Sequence, residues 1–368
     1  MSRRPGGAAA PAPSRRGWRM PAEWEPHAAT WLAWPHERAD WPGPGKLDAV
    51  RWVYTEFVRH VTTGERVRLL VRDEAAERQA RTWLRRAGVE LAAVDLLRIP
   101  TDRSWTRDYC PLFVTDPRGR VGLTTWRFTG WAKYANHRRD AAVPDAVARR
   151  QPERARWTPT VPRDGAPWRV VLEGGAIDVN GRGTLLTTEE CLLSPDVQVR
   201  NPGLSRAALE RVLGRHLGVR KVLWLGRGIA GDDTHGHVDD CARFVDPHTV
   251  AVAVADDPAS ADHAATRDNR DRLRHMTDQD GRPLRVVELP MPSPVVFDGQ
   301  HLPASYANFY VANACVLVPT FNDEHDRRAL AILADCFRDR PVIGVHAVDL
   351  VLGLGTLHCM TQQEPAGR

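Results

Sequence analysis

The chain has 368 residues and a net charge of +5, with 42% hydrophobic and 26% charged residues, a balance that points to a globular protein with enough chain for a large core. No run approaches the ~20 apolar residues a membrane-spanning helix needs, so no span is expected. Arg3, Arg4, Arg15, Arg16 and Arg19 fall within the first twenty residues; without them the body is near neutral, and the basic pI is no argument for a nucleic-acid partner.

Residues 1–19 are mostly Ala, Pro, Gly and Arg, and are expected to form a disordered basic lead-in. They lack the amphipathic apolar face of a transit peptide and the apolar core of a secretory signal. Residues 20–368 are expected to form one catalytic domain. Apolar periodicity predicts helices over 47–61, 73–87, 205–217, 260–276 and 323–337, with Ser205 and Asp323 as N-caps. Short β-rich runs, "VDLLRIP" (94–100), "KVLWLG" (221–226), "RVVELP" (285–290) and "PVIGVHAV" (341–348), lie between them. The last three recur about every sixty residues, which suggests a repeated helix-then-strand unit arranged as a ring or a parallel array.

Polar segments follow several strands. "TDRSWTRDYCP" comes after the first, "RGIAGDDTHGHVDDCARF" after the second and "DLVLGLGTLHCMTQQ" after the last. Loops beyond strand ends are where a rigid scaffold presents reactive groups, and three converging loops would gather Asp108, His237, Asp239 and Cys359. A fourth segment, "RVVLEGGAIDVNG", sets Glu173 before a glycine pair, where backbone must approach a neighbour closely.

The six cysteines form no CxxC pair and no compact secreted framework, which fits a reducing cytoplasm. Cys359 is then either a buried structural thiol or a nucleophile, and a nucleophile needs a proton manager. His237 and Asp239 stand two residues apart, so on a strand they would share one face. The same letters read as H-x-H-x-D through His235, with Cys241 as a soft ligand nearby, the opening of a zinc hydrolase site; Asp240 stands where such sites continue with His. Asp108, with Trp105 three residues before it, offers a carboxylate beside an aromatic plane. Two carboxylates with an aromatic wall suit a guanidinium, whose forked donors they accept in pairs. A non-catalytic polyamine sensor using the same acids and tryptophans is a further alternative.

Taken together, "MPAEWEPHAATWLAWPH", "SWTRDYCP", "LEGGAIDVNG", "DDTHGHVDD", "LPASYANFYVAN", "LVPTFND" and "GLGTLHCMTQQEP" resemble the agmatine deiminase and bacterial peptidylarginine deiminase family of the guanidine-modifying superfamily, from about Met20 to Pro365. The resemblance implies an α/β fold, a five-bladed α/β propeller with pseudo-fivefold symmetry, and a metal-free, cofactor-free reaction on a small guanidino substrate, with agmatine first and arginine, peptidylarginine or another guanidino compound as alternatives. It implies Cys359 as nucleophile, His237 as general acid and base, Asp108 and Asp239 as the guanidinium clamp, and Glu173 as the group that orients His237. Trp105 and Asn308 resemble substrate-contacting residues, and Asp233, with Asp232 beside it, resembles the acid for the ammonium of agmatine. A homo-oligomer is also in keeping with it. The chain departs from the family pattern at Leu354 and Thr356, where many relatives read GGGNIHC, at Cys110 and His235, and through "GWAKYANHRRDAAV".

Overall fold

A computed structural model of the chain describes residues 12–367. It is a mixed α/β structure in which five sheets share one pattern: two strands pair antiparallel, the chain passes through helix, and a third strand returns parallel to the second. The first sheet joins the two ends of the chain, with Gln362–Pro365 antiparallel to His27–Ala33, which pairs parallel with Arg66–Val71 and then Val94–Arg98. The second runs Leu112–Thr115, Val121–Thr124, Ala155–Trp157. The third runs Asp178–Val179, Thr184–Thr188, Lys221–Leu225. The fourth and fifth are Ala242–Asp246, Thr249–Val254, Arg285–Pro290 and Tyr310–Val311, Val316–Thr320, Val342–His346.

Burial is deepest in the middle of a sheet: every residue of Thr249–Val254 is buried, as expected for a strand covered on both faces, whereas the β-rich runs read from the sequence lie in the last strands of their sheets and are only partly buried. The helices obey local rules. Asp73 accepts from the Ala76 amide and caps Glu74–Arg86, and Ser205 accepts from the Ala208 amide and caps Arg206–Leu217, each satisfying an otherwise orphaned donor. The helices expected over 47–61 and 260–276 run Lys46–Val61 and His263–Arg274. Asp323 is not an N-cap: its helix begins at Asp326, and Asp323 instead accepts from the Ser293 and His325 amides, each at 2.9 Å, tying two loops together. Besides the short helices Thr106–Tyr109 and Glu189–Leu193, one long helix escapes the pattern reading. Arg138–Arg150 has Pro144 inside it and arginine at both ends, so its buried face of Val143, Ala146 and Val147 is masked in the sequence.

The boundary of the basic lead-in is corrected. Residues 1–11 lie outside the described residues, but Pro13–Arg16 forms a 3-10 turn, Trp18 is only 4% exposed, and Arg19 bridges Thr115 and pairs bidentately with Glu25. An aromatic edge contact of Trp18 with Trp157 holds this segment against the body, which composition alone does not reveal. None of the described helices is long and apolar enough to cross a membrane.

The fold has a consequence for chemistry. In each of the five sheets, the short segment just before the first antiparallel strand carries a predicted site residue: Asp108 before Leu112, Glu173 before Asp178, His237 and Asp239 before Ala242, Asn308 before Tyr310, and Cys359 before Gln362. The final strand of the chain therefore holds its cysteine in place by pairing with the first.

Candidate active site

A cavity of about 290 Å³ has Asp108, Trp105, Asp233 and Cys359 in its wall. His237, Asp239, Glu173 and Asn308 are fully buried and packed around them. Asn308 Nδ2 donates to Cys359 Sγ at 3.1 Å and to Asp240 Oδ1 at 2.8 Å, while its Oδ1 accepts from Thr356 Oγ1 and the His358 amide. The thiol also lies 3.6 Å from Asp239 Oδ2. All eight residues expected at the site are thus brought together.

His237 stands at the centre of the acids, with Nδ1 at 3.7 Å from Asp108 and 4.0 Å from Asp239, and Nε2 at 3.9 Å from Glu173. These are charge contacts and not hydrogen bonds, and Nε2 has no hydrogen-bond partner among the described residues. Glu173 itself makes its hydrogen bonds to Arg200, in an ion pair with neither side chain exposed. The glycine pair explains itself at this point. A Cβ on Gly174 would lie 2.2 Å from the Arg107 carbonyl oxygen, and one on Gly175 would lie 2.6 Å from His237 Nδ1 and 2.9 Å from Asp108 Oδ1. The Gly175 amide meanwhile donates to Asp108 Oδ1 at 3.0 Å.

Two expectations are corrected. His237 and Asp239 do not lie on a strand; His237 precedes the 3-10 turn Val238–Asp240, and it is this turn that aims both inward. The zinc pattern does not assemble either. Among the described residues, the clusters with metal-ligating spacing are Glu173, Cys191 and His237, and Asp239, Asp240 and Cys359; His235 belongs to neither, because its left-handed backbone (φ 63°) turns it toward Glu190, at 3.9 Å.

The chain belongs to the Porphyromonas-type peptidyl-arginine deiminase family, whose model matches residues 19–365.

Its relatives span the whole length. A protein of Selenomonas ruminantium is 36% identical over 378 residues, covering 96% of this chain and 97% of its own. An agmatine deiminase of Pseudomonas fluorescens (strain SBW25) is 34% identical, covering 96% and 97%. The solved structure of the agmatine deiminase of Enterococcus faecalis superposes with a TM-score of 0.87 at 33% identity, covering 98% of this chain and 99% of its own.

Within this family member the electrostatics of the site are unusual for an interior. Burial pushes Asp108 up to about 6, with His237 pulling it down and Asp239 and Glu173 adding to the rise. Burial also raises Glu173, but Arg200 and His237 more than offset it and leave the carboxyl below its usual range. Burial raises Asp239 as well, yet His358, His237 and Arg243 hold it low. For His237, burial opposes charge but Asp108, the Cys191 sulfur and Glu173 lift its pKa well above the usual imidazole value. Burial and then Asp239, Asp240 and Asp108 drive the Cys359 thiol well above its ordinary range. Burial first, and then the acids around it, hold the cysteine neutral.

Several residues were not singled out from the sequence. His358 bridges Asp239 (2.7 Å) and Glu23 (2.8 Å), and Glu23 also receives Arg243 at 2.9 Å and Arg107 at 3.1 Å, all of them buried. Burial raises Glu23, but Arg243, His358 and Arg107 bring it well below the carboxylate range. Glu23 lies in the block "MPAEWEPH", but a lone acid carries no spacing signal. Trp131 donates its indole N–H to Asp108 Oδ2 at 2.8 Å from a left-handed backbone (φ 58°), the kind of strain that persists where a side chain is needed.

At the cavity rim, Asp233 is present as expected but is not free. Lys133 pairs with it and Tyr134 donates to it at 2.7 Å. Asp40, buried and also lining the cavity, pairs with Arg103, whose guanidinium lies over the Tyr134 ring at 4.3 Å. Lys133 and Tyr134 come from "GWAKYANHRRDAAV", the loop that departs from the family pattern.

Proposed function

We propose that the protein is a cysteine-dependent iminohydrolase, a hydrolase of a carbon–nitrogen bond in a linear amidine, that converts a small guanidino substrate to its ureido product and ammonia. Agmatine, giving N-carbamoylputrescine, is the substrate best supported, by relatives that bear the name agmatine deiminase over the full chain. The observation that carries the reading is Asp239: its Oδ2 is taken by His358, while its Oδ1 is buried with no hydrogen-bond partner among the described residues, beside a thiol and across from Asp108. An unsatisfied buried carboxylate oxygen is costly, and a guanidinium N–H supplies the missing donor.

The chemistry follows from the charges. A guanidinium is a poor electrophile, so its plane must be fixed and its charge matched, which Asp108 and Asp239 do by charge-assisted hydrogen bonds. Its positive charge also reverses the field at Cys359, so the thiol releases its proton to water as substrate binds. The thiolate attacks the central carbon. The protonated His237 gives its proton to one departing –NH2, the C–N bond breaks, ammonia leaves, and an S-alkylthiouronium remains on Cys359. The now neutral His237 takes a proton from water as that water attacks the same carbon. The C–S bond then breaks, returning thiolate, and the hydroxyl proton of the adduct is lost to solvent, leaving the urea; ammonia takes up a proton as ammonium. At the rim, the ammonium of agmatine displaces Lys133, whose side chain is 43% exposed, and pairs with Asp233, while Trp105 covers the aliphatic tail.

We also propose that the five sheets are blades of a pseudo-fivefold α/β propeller formed by residues 20–368 as one domain. The support is their common topology, the placement of a site residue before the same strand in each, and the pairing of the two chain ends.

The test is mass analysis of agmatine after incubation with the enzyme in excess EDTA. A gain of about one mass unit with ammonia release, lost in Cys359→Ser while agmatine still binds, is expected. Normal turnover by that variant removes the covalent route, and turnover that appears only after zinc is restored removes the metal-free one.

A further inference from the structure

The floor of the cavity contains an inversion of the usual backbone logic. Leu354 stands at φ 66° and ψ 30°, in the left-handed region, where a Cβ crowds the backbone and glycine is the default residue. Its two neighbours are glycines for a different reason. A Cβ on Gly353 would lie 2.7 Å from both Trp105 Cζ2 and Trp41 Nε1, and one on Gly355 would lie 3.0 Å from the Trp105 ring and 3.1 Å from Cys359 Cβ. Residues 353–355 thus place glycine where space is lacking and leucine where the backbone asks for glycine. A leucine against that preference is explained by its side chain and not by its backbone, and Leu354 lines the cavity together with Leu352, Leu302, Phe297, Trp105 and Cys359.

The charges around the same cavity are already matched, Asp233 with Lys133 and Tyr134, and Asp40 with Arg103. Beyond the exchange of Lys133 for a substrate ammonium at Asp233, shape is what sorts one tail from another. We propose that Leu354 is a specificity-determining residue: its isobutyl group narrows the channel to Cys359 so that a guanidino group on a thin, unbranched aliphatic tail reaches the thiol, while one whose tail branches into bulk is turned away. This rests on the deiminase reading above.

The experiment compares kcat/KM for agmatine with that for Nα-benzoyl-L-arginine amide in the wild type, Leu354→Gly and Leu354→Ala. The ratio of agmatine to the bulky substrate is expected to fall at least tenfold in both variants, and the Tm of Leu354→Gly to be no lower than that of the wild type, because glycine relieves the backbone. A ratio within twofold of wild type in both variants overturns the proposal, as does a change in the glycine variant alone, which would assign selection to backbone freedom. Wild-type enzyme that turns over neither compound removes the deiminase reading and this inference with it; wild-type turnover with an unchanged ratio removes only the role of Leu354.

Discussion

Gly175→Ala tests how tightly the charges around His237 are packed. Gly175 is not among the positive-φ glycines, so alanine fits the backbone and the perturbation is steric alone. The added Cβ would lie 2.6 Å from His237 Nδ1, about 0.8 Å short of the 3.4 Å at which ordinary contact begins, and also inside that limit for Asp108 Oδ1 and Asp239 Oδ2, at 2.9 and 3.1 Å. In the proposed mechanism these three groups are the proton carrier and the two carboxylates of the clamp, and all are buried in a packed interior that yields little. A displacement approaching 1 Å in such groups costs about 100-fold in rate, equivalent to about 2.7 kcal/mol of transition-state stabilisation. The assay is initial-rate ammonia release from agmatine, with circular dichroism and a thermal melt to confirm that the fold is retained. A kcat/KM within threefold of wild type in a normally folded variant would refute the packing argument.

Other consequences can be measured in parallel. Lys133→Met removes the cation that competes for Asp233 and should lower the KM for agmatine severalfold; a raised KM in steady-state assays would show that Lys133 helps to hold the tail. Arg200→Met leaves Glu173 as a buried charge without its partner and should cost about 3–5 kcal/mol in denaturant unfolding; a loss below 1 kcal/mol would mean that the pair is not buried in solution. The pH profile of kcat/KM should show an acid limb near the Asp108 value of about 6. The sign is set by the carboxylate: as pH falls through that value Asp108 takes up a proton, the clamp loses charge, and the rate drops about tenfold per pH unit below it; a flat profile down to pH 5 would exclude Asp108 from the clamp.

The sequence by itself determined the chemical inventory. Ordered blocks around Asp108, Glu173, His237, Asn308 and Cys359 identified the family, and the periodic helices with Asp73 and Ser205 at their starts were legible because caps and apolar stripes are local signals. Local signals fail where the cause is distant. The helix Arg138–Arg150 was hidden by its arginines and Pro144, the anchoring of residues 12–19 depended on Trp157, and the His237 segment resembled a strand until a 3-10 turn redirected it. Only the tertiary structure decided that Asp233 is already paired with Lys133 from a loop one hundred residues away, that His358 reaches Glu23 across 335 positions and Asp239 across 119, and that Leu354 lines the same cavity as Cys359 from a glycine's conformation. Hydrogen bonds and steric limits act between atoms that the fold brings together, and no spacing along the chain encodes which distant partner will arrive.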